Sequence, residues 1–143
     1  MTMTGLDVFD RSIHAANDWL KDIMYELGTE DRHRAYLALR ATLQALRDRL
    51  SVNEAAQLGA QLPLLIRGFY YEGWTPSGKP LKERHKKDFL AHIQDQFGPD
   101  GIDAESVARA VFKMLHFRVS KGAIQDLKGV MPKELLELWP QTP

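Results

Sequence analysis

The side chains best equipped for chemistry lie together near the middle of the chain, in Arg67-Gly68-Phe69-Tyr70-Tyr71-Glu72-Gly73-Trp74. Aromatic rings beside a guanidinium and a carboxylate could form one wall of a ligand pocket, the rings supplying contact area and the charges fixing orientation. Arg67, Tyr70, Tyr71, Glu72 and Trp74 are the ligand-binding candidates on that reading. A second cluster, Lys79, Lys82, Arg84, His85, Lys86 and Lys87, is strongly cationic. Placed at the start of a helix, Lys82, Arg84, Lys86 and Lys87 would join the free backbone N–H groups in an anion or nucleic-acid contact. The helix macrodipole opposes exposed cations there by about 0.3–1 kcal/mol each. Pairing with Glu83 and Asp88, or with Asp7, Asp10, Asp18 and Asp22 of the first helix, is the expected offset.

Weaker constellations assign nothing. His14 and Asp18, and Asp88 and His92, are each four apart and share a helix face, as metal ligands would. Neither has a third ligand or an HExxH pattern, so no metal site is assigned. Ser51 and Ser120 lack the neighbouring base that a nucleophile needs, and both read as helix N-caps. His116, close in sequence to Phe112 and Phe117, is expected to be partly buried and hydrogen-bonded. The chain has no cysteine, which excludes disulfides, thiolate catalysis and thiolate metal sites. No catalytic residue and no cofactor follows from any motif.

The elements that must position these residues are helical. Phe9, Ile13, Ala16, Leu20, Ile23 and Leu27 recur at spacings of three and four, and Gly28 suits a left-handed C-terminal position, which predicts a helix over residues 7–27. Tyr36, Leu39, Leu43, Leu46 and Leu50 predict a second helix; Ser51-Val52-Asn53-Glu54 reads as a capping box opening a third. Pro63 forces a break and is expected at the first position of a fourth segment ending near Tyr71, whose stripe runs Leu62, Leu65, Ile66 and Phe69. No alternating strand pattern competes.

Sliding the chain on itself reveals a repeat. An offset of 69 maps Ala35, Arg40, Ala41, Leu46, Arg49, Ser51, Leu58 and Pro63 onto Ala104, Arg109, Ala110, Leu115, Arg118, Ser120, Leu127 and Pro132. Chance would give about two identities over such a stretch. At an offset of 70, Trp19-Leu20, Ile23 and Gly28 fall on Phe89-Leu90, Ile93 and Gly98. The expected architecture is an all-α helical bundle of two tandem copies of a four-helix unit: residues 1–72, a connecting loop over 73–80, and residues 81–143, together one compact domain. Tyr70 aligns with Trp139, which marks a shared core ring. RGFYYEGW then reads as the joint leaving the first copy.

The segments RGFYYEGW, KERHKKDFLAHI and PKELLELWP resemble the signature segments of a prokaryotic family known as domain of unknown function 2267, over essentially the whole chain. The resemblance implies an all-helical fold with two related halves and carries no reaction with it.

Nineteen basic residues against nineteen acidic leave no net charge to steer the chain toward nucleic acid or an anionic membrane. No run reaches the ~18 apolar residues of a membrane span, and the start lacks a secretory pattern, so a cytoplasmic location is expected. Three functions are carried forward. A protein-interaction or self-associating module without catalytic activity ranks first. A small-ligand pocket or unrecognised enzyme between the halves, walled by RGFYYEGW, is second; nucleic-acid contact through residues 79–87 is third.

Overall fold

Helix ends form where side chains or turns satisfy the free N–H and C=O groups of the first and last turns. The computed structural model describes residues 3–99 and 101–141; Met1, Thr2, Asp100, Thr142 and Pro143, which the expected copies included, lie outside the described residues. The first helix, α1, runs Asp7–Leu27 and stops at Gly28, whose φ of 66° is the left-handed geometry that glycine adopts without strain. Asp31 caps α2 (Arg32–Asp48) through the Arg34 N–H. Ser51 and Glu54 form the expected capping box of α3 (Val52–Gly59). After α4 (Leu64–Tyr71) and a long connection come α5 (Lys86–Phe97) and α6 (Ala104–Arg118). Ser120 then caps α7 (Lys121–Gly129), and α8 is a single turn, Lys133–Leu136. Among the described residues the fold is all-α, with eight helices and no strand.

Both prolines break the chain as the sequence implies, displaced by one position. Pro63 (ψ 155°) and Pro132 (ψ 154°) are N-caps, and the helices start at Leu64 and Lys133. Each ring fixes φ while the proline carbonyl opens the first turn, as Pro63 O does for the Arg67 N–H at 2.8 Å.

The bundle is organised around α2 and α6, which touch each other and carry the most buried residues. In α2 the buried set is Ala35, Ala38, Leu39, Ala41, Thr42, Leu43, Gln44, Ala45, Leu46 and Arg47, so the alanines let neighbours approach on several faces. Helix α1 packs on α2 and α6, α5 packs on the same pair from its own side, and α3 meets α7. Phe112 of α6 stacks on Trp139 at 4.3 Å and meets Phe89 of α5 at 5.8 Å. The stripes are not uniformly buried: Phe9 and Leu65 are exposed, while Ile13, Ala16, Leu20, Leu27 and Phe69 are half-buried, as is Tyr36 against Phe69. The first core residue of α1 with a large ring is Trp19.

Candidate functional site

Helix α4 ends without a C-cap of its own. Glu72 (φ −57°, ψ 127°) and Gly73 (φ 74°) form a turn in which the Trp74 N–H donates to Tyr71 O at 3.0 Å, which leaves the carbonyls of Phe69, Tyr70 and Glu72 to find partners elsewhere. Helix α2 provides them. Gln44 Nε2 donates to Phe69 O at 2.8 Å and to Glu72 O at 3.4 Å. Arg47 Nη1 donates to Tyr70 O and to Glu72 O, both at 2.9 Å, while its Nε donates to Asp48 Oδ1 at 2.9 Å. One turn earlier, Arg40 Nη2 binds Glu72 Oε1 at 2.8 Å, and its Nη1 reaches Gln96 Oε1 of α5 at 3.3 Å. Gln96 Nε2 donates to Gln44 Oε1 at 2.8 Å, which closes a network tying α2, the end of α4 and α5 together.

The aromatic members of RGFYYEGW pack against their own half. Tyr70 is fully buried and its hydroxyl donates to Ala55 O of α3 at 2.8 Å. Burial, reinforced by Tyr71, pushes the Tyr70 phenol up from its ordinary value, so it stays a neutral donor. Tyr71 meets Tyr70 edge-on at 4.9 Å and Trp74 at 5.6 Å, and its ring lies directly on the backbone of Gly59. A Cβ at Gly59 would stand 2.8 Å from Tyr71 Cζ and closer still to the hydroxyl. Trp74 is half-buried against the core, and its buried Nε1 has no hydrogen-bond partner. Arg67 is occupied by backbone: Nε donates to Gly59 O at 2.9 Å and Nη2 to Leu62 O at 2.8 Å, binding the end of α3 to α4. Glu72 is exposed and already carries a cation. The five candidates thus lie together, with their polar atoms engaged by the fold except the Trp74 indole N–H and the outer face of Tyr71.

The cationic segment is arranged differently from expectation. Only Lys86 and Lys87 are on α5; Lys82 and Arg84 lie in the extended stretch that precedes it. That stretch is pinned before the helix can begin: the Leu81 N–H donates to Asp48 O at 2.8 Å, and Glu83 binds His92 Nε2 at 2.9 Å. His85 Nδ1 lies 2.9 Å from Glu134 Oε2, and the Lys86 N–H donates to Glu134 Oε1 at 3.1 Å, so Glu134 of α8 caps α5 from across the fold. Lys86 Nζ is 3.3 Å from Glu105 and 3.7 Å from Glu137. The offsetting acids therefore come from α6 and from α8 and its C-cap, not from α1, where Asp7 pairs with Arg11 and Asp22 with Arg118. Lys82, Arg84 and Lys87 are exposed, with no ion pair within 4 Å among the described residues.

Of the remaining sequence candidates, His14 and Asp18 are exposed, and no group of three metal-ligating side chains occurs among the described residues. His116 is half-buried beside Phe117, but its buried Nδ1 has no hydrogen-bond partner, contrary to expectation. A cavity lies elsewhere, a groove of about 830 Å³ between α3 and α7. Leu58, Ala123, Leu127 and Val130 give it apolar surface, and Gln57 and Asp126 are among its polar lining. None of the five RGFYYEGW candidates lines it.

Arg40, Gln44, Arg47 and Gln96 build the joint and are absent from the sequence-derived candidates. A signal exists: residues 40, 44 and 47 are spaced four and three along one face of a helix otherwise rich in alanine and leucine.

Fold and site together define an all-helical protein whose densest cluster of functional groups is a structural joint, capped by side chains from a central helix. The chain belongs to the family described as uncharacterized conserved protein (DUF2267), whose model matches residues 16–138. No curated protein matches the chain. No helix among the described residues is long and apolar enough to cross a membrane.

Proposed function

We propose that the chain is a protein-interaction or assembly module without catalytic activity, built from two tandem copies of a four-helix unit. One observation carries the functional reading: the Arg67 guanidinium, the Tyr70 hydroxyl and the Glu72 carboxylate, the groups of RGFYYEGW best able to act on a substrate, are engaged by backbone carbonyls and by one internal ion pair. A catalytic carboxylate is expected in a cleft with its protonation state perturbed by its surroundings; Glu72 is exposed beside Arg40. The tandem reading is supported by equal roles at aligned positions. Ser51 and Ser120 cap, Pro63 and Pro132 precede the last helices, and Trp19 and Phe89, Ile23 and Ile93, Leu46 and Leu115, and Tyr70 and Trp139 are all buried. Copies spanning 1–72 and 81–143, joined by 73–80, fit these pairs.

Cross-linking in the native host, followed by sizing and identification of the linked peptides, tests the reading. Discrete species joining this chain to a recurrent protein partner, or to itself, are expected. A chain that stays unlinked and releases a stoichiometric small molecule in native mass spectrometry would overturn it. That outcome would favour the second reading, a small-ligand protein, for which the α3–α7 groove is the supporting feature: its volume falls in the range of ligand sites, about 300–1,000 Å³. Leu127→Glu would then abolish retention of the small molecule.

A further inference from the structure

Two of the largest exposed rings in the molecule line one depression. Tyr25 of α1 is 83% exposed and Phe117 of α6 is 73% exposed. They flank a shallow depression of about 260 Å³ along the α1–α6 contact, whose other walls are Asp22, Glu26, Lys113 and Met114. Arg118 Nε binds Asp22 Oδ2 at 2.7 Å and Lys113 Nζ binds Glu26 Oε1 at 3.1 Å, so ion pairs frame the aromatic centre. Exposed aromatic anchors over an adaptable methionine, rimmed by charge, have the make-up of an interface centre.

The other contact of this kind is covered by the chain itself. Between α2 and α5, the segment after α4 bonds to both helices: Glu72 to Arg40, Leu81 to Asp48, and Glu83 to His92. Under the tandem reading the α1–α6 contact is its counterpart, with Phe117 at the place of Asp48 and Asp22 at that of His92. There the rings of Tyr25 and Phe117 stand in the open.

The charges say what would cover them. On the α1 side the residues are acidic, Asp18, Asp22 and Glu26, each four apart; Lys21 is the one cation of residues 12–27. On the α6 side they are basic, Lys113 and Arg118. We propose that this face binds a second copy of the chain across a two-fold axis, with Tyr25 and Phe117 of each copy packed at the centre. A two-fold lying in the interface along the depression between the two rows lays the acidic row of each copy on the basic row of the other, which makes the face self-complementary. Formal neutrality removes the long-range repulsion that would otherwise oppose association of identical chains. The proposal deepens the assembly-module reading and names its partner.

Analytical ultracentrifugation of the purified chain over a concentration series tests it. The natural chain is expected to sediment as a dimer, and Tyr25→Ser with Phe117→Ser is expected to weaken association by about tenfold or more. Both rings are exposed, so at a concentration low enough for the natural chain to be monomeric the two melting curves should coincide, which separates lost association from lost folding. A quadruple variant, Asp22→Arg, Glu26→Lys, Lys113→Glu and Arg118→Asp, exchanges the rows while keeping the internal pairs. It should form dimers with itself but not mixed dimers with the natural chain. A natural chain that remains monomeric at its highest soluble concentration, a ring variant that dimerises unchanged, or free formation of mixed dimers would each overturn the proposal. A monomer that is still cross-linked to another protein in the host would sink the second-copy inference alone and leave the assembly-module reading standing.

Discussion

Arg47 holds the end of α4 through two backbone carbonyls from a position that is almost fully buried. Removing it leaves Tyr70 O and Asp48 without this donor and Glu72 O with only the longer bond from Gln44, so Arg47→Ala should cost about 2–4 kcal/mol. Arg47→Lys should recover only part of that loss, because an ammonium cannot reproduce the planar fork that serves Asp48 and the carbonyls together; urea titration measures both. Gly59 makes the opposite kind of contribution, since its missing side chain is what admits Tyr71. Gly59→Ala should destabilise by about 1–3 kcal/mol through overpacking, and Tyr71→Leu in the same chain should relieve it; additive losses would show that the two do not touch. Trp74 can be decomposed in the same way: Trp74→Phe discards an unpaired N–H and should be close to neutral, whereas Trp74→Ala should cost about 1–3 kcal/mol for a half-buried ring. The burial of Tyr70 was legible from its alignment with Trp139. Arg47 was not, because a cation on a helix of mixed polarity reads as a solvated surface residue until the carbonyls it caps are in view.

At the scale of elements, the start of α5 depends on α8. Glu134 accepts from His85 and from the Lys86 N–H, which together hold its carboxyl below the ordinary glutamate value, the histidine contact being the larger cause. Glu105 is lowered as well, chiefly by Arg109 and then by Lys86. A carboxylate whose folded value is depressed contributes stability that is fully present above the unfolded value of 4.5 and is lost as pH falls through the lowered folded value. The melting temperature should therefore hold above about pH 5 and fall below pH 4, and Glu134→Gln should flatten that acid limb. An unchanged acid limb in the variant would show that the α8–α5 cap does not contribute. Helix breaks were readable here because proline acts locally, through its own ring. The late start of α5 was not, since residues 81–85 stay extended for non-local reasons, their partners being Asp48, His92 and Glu134 from three other helices.

Across the whole molecule, the two halves are not two bodies. Helix α1 of the first half packs on α6 of the second, α5 of the second packs on α2 of the first, and α2 and α6 meet at the centre. Each half alone would expose the faces that the other covers, including Leu39, Leu43, Val111 and Leu115, and about seventy residues with half a core fall near the lower limit of independent folding. Chain division within the connection should test this, because residues 75–78 are exposed and carry few of the joint's bonds. Fragments 1–76 and 77–143 should each show weak helicity and no cooperative melt by circular dichroism, and mixing them should restore both at a one-to-one ratio. A fragment that melts cooperatively alone would mean that the proposed four-helix unit is itself a domain. The polar network would then have to act as a tether between finished parts, but Gln96 and Arg40 meet across the halves in the same cluster that caps α4. The side chains that cap the last turn of one half are thus themselves held by Gln96 from the first helix of the other, which ties the joint to assembly of the core.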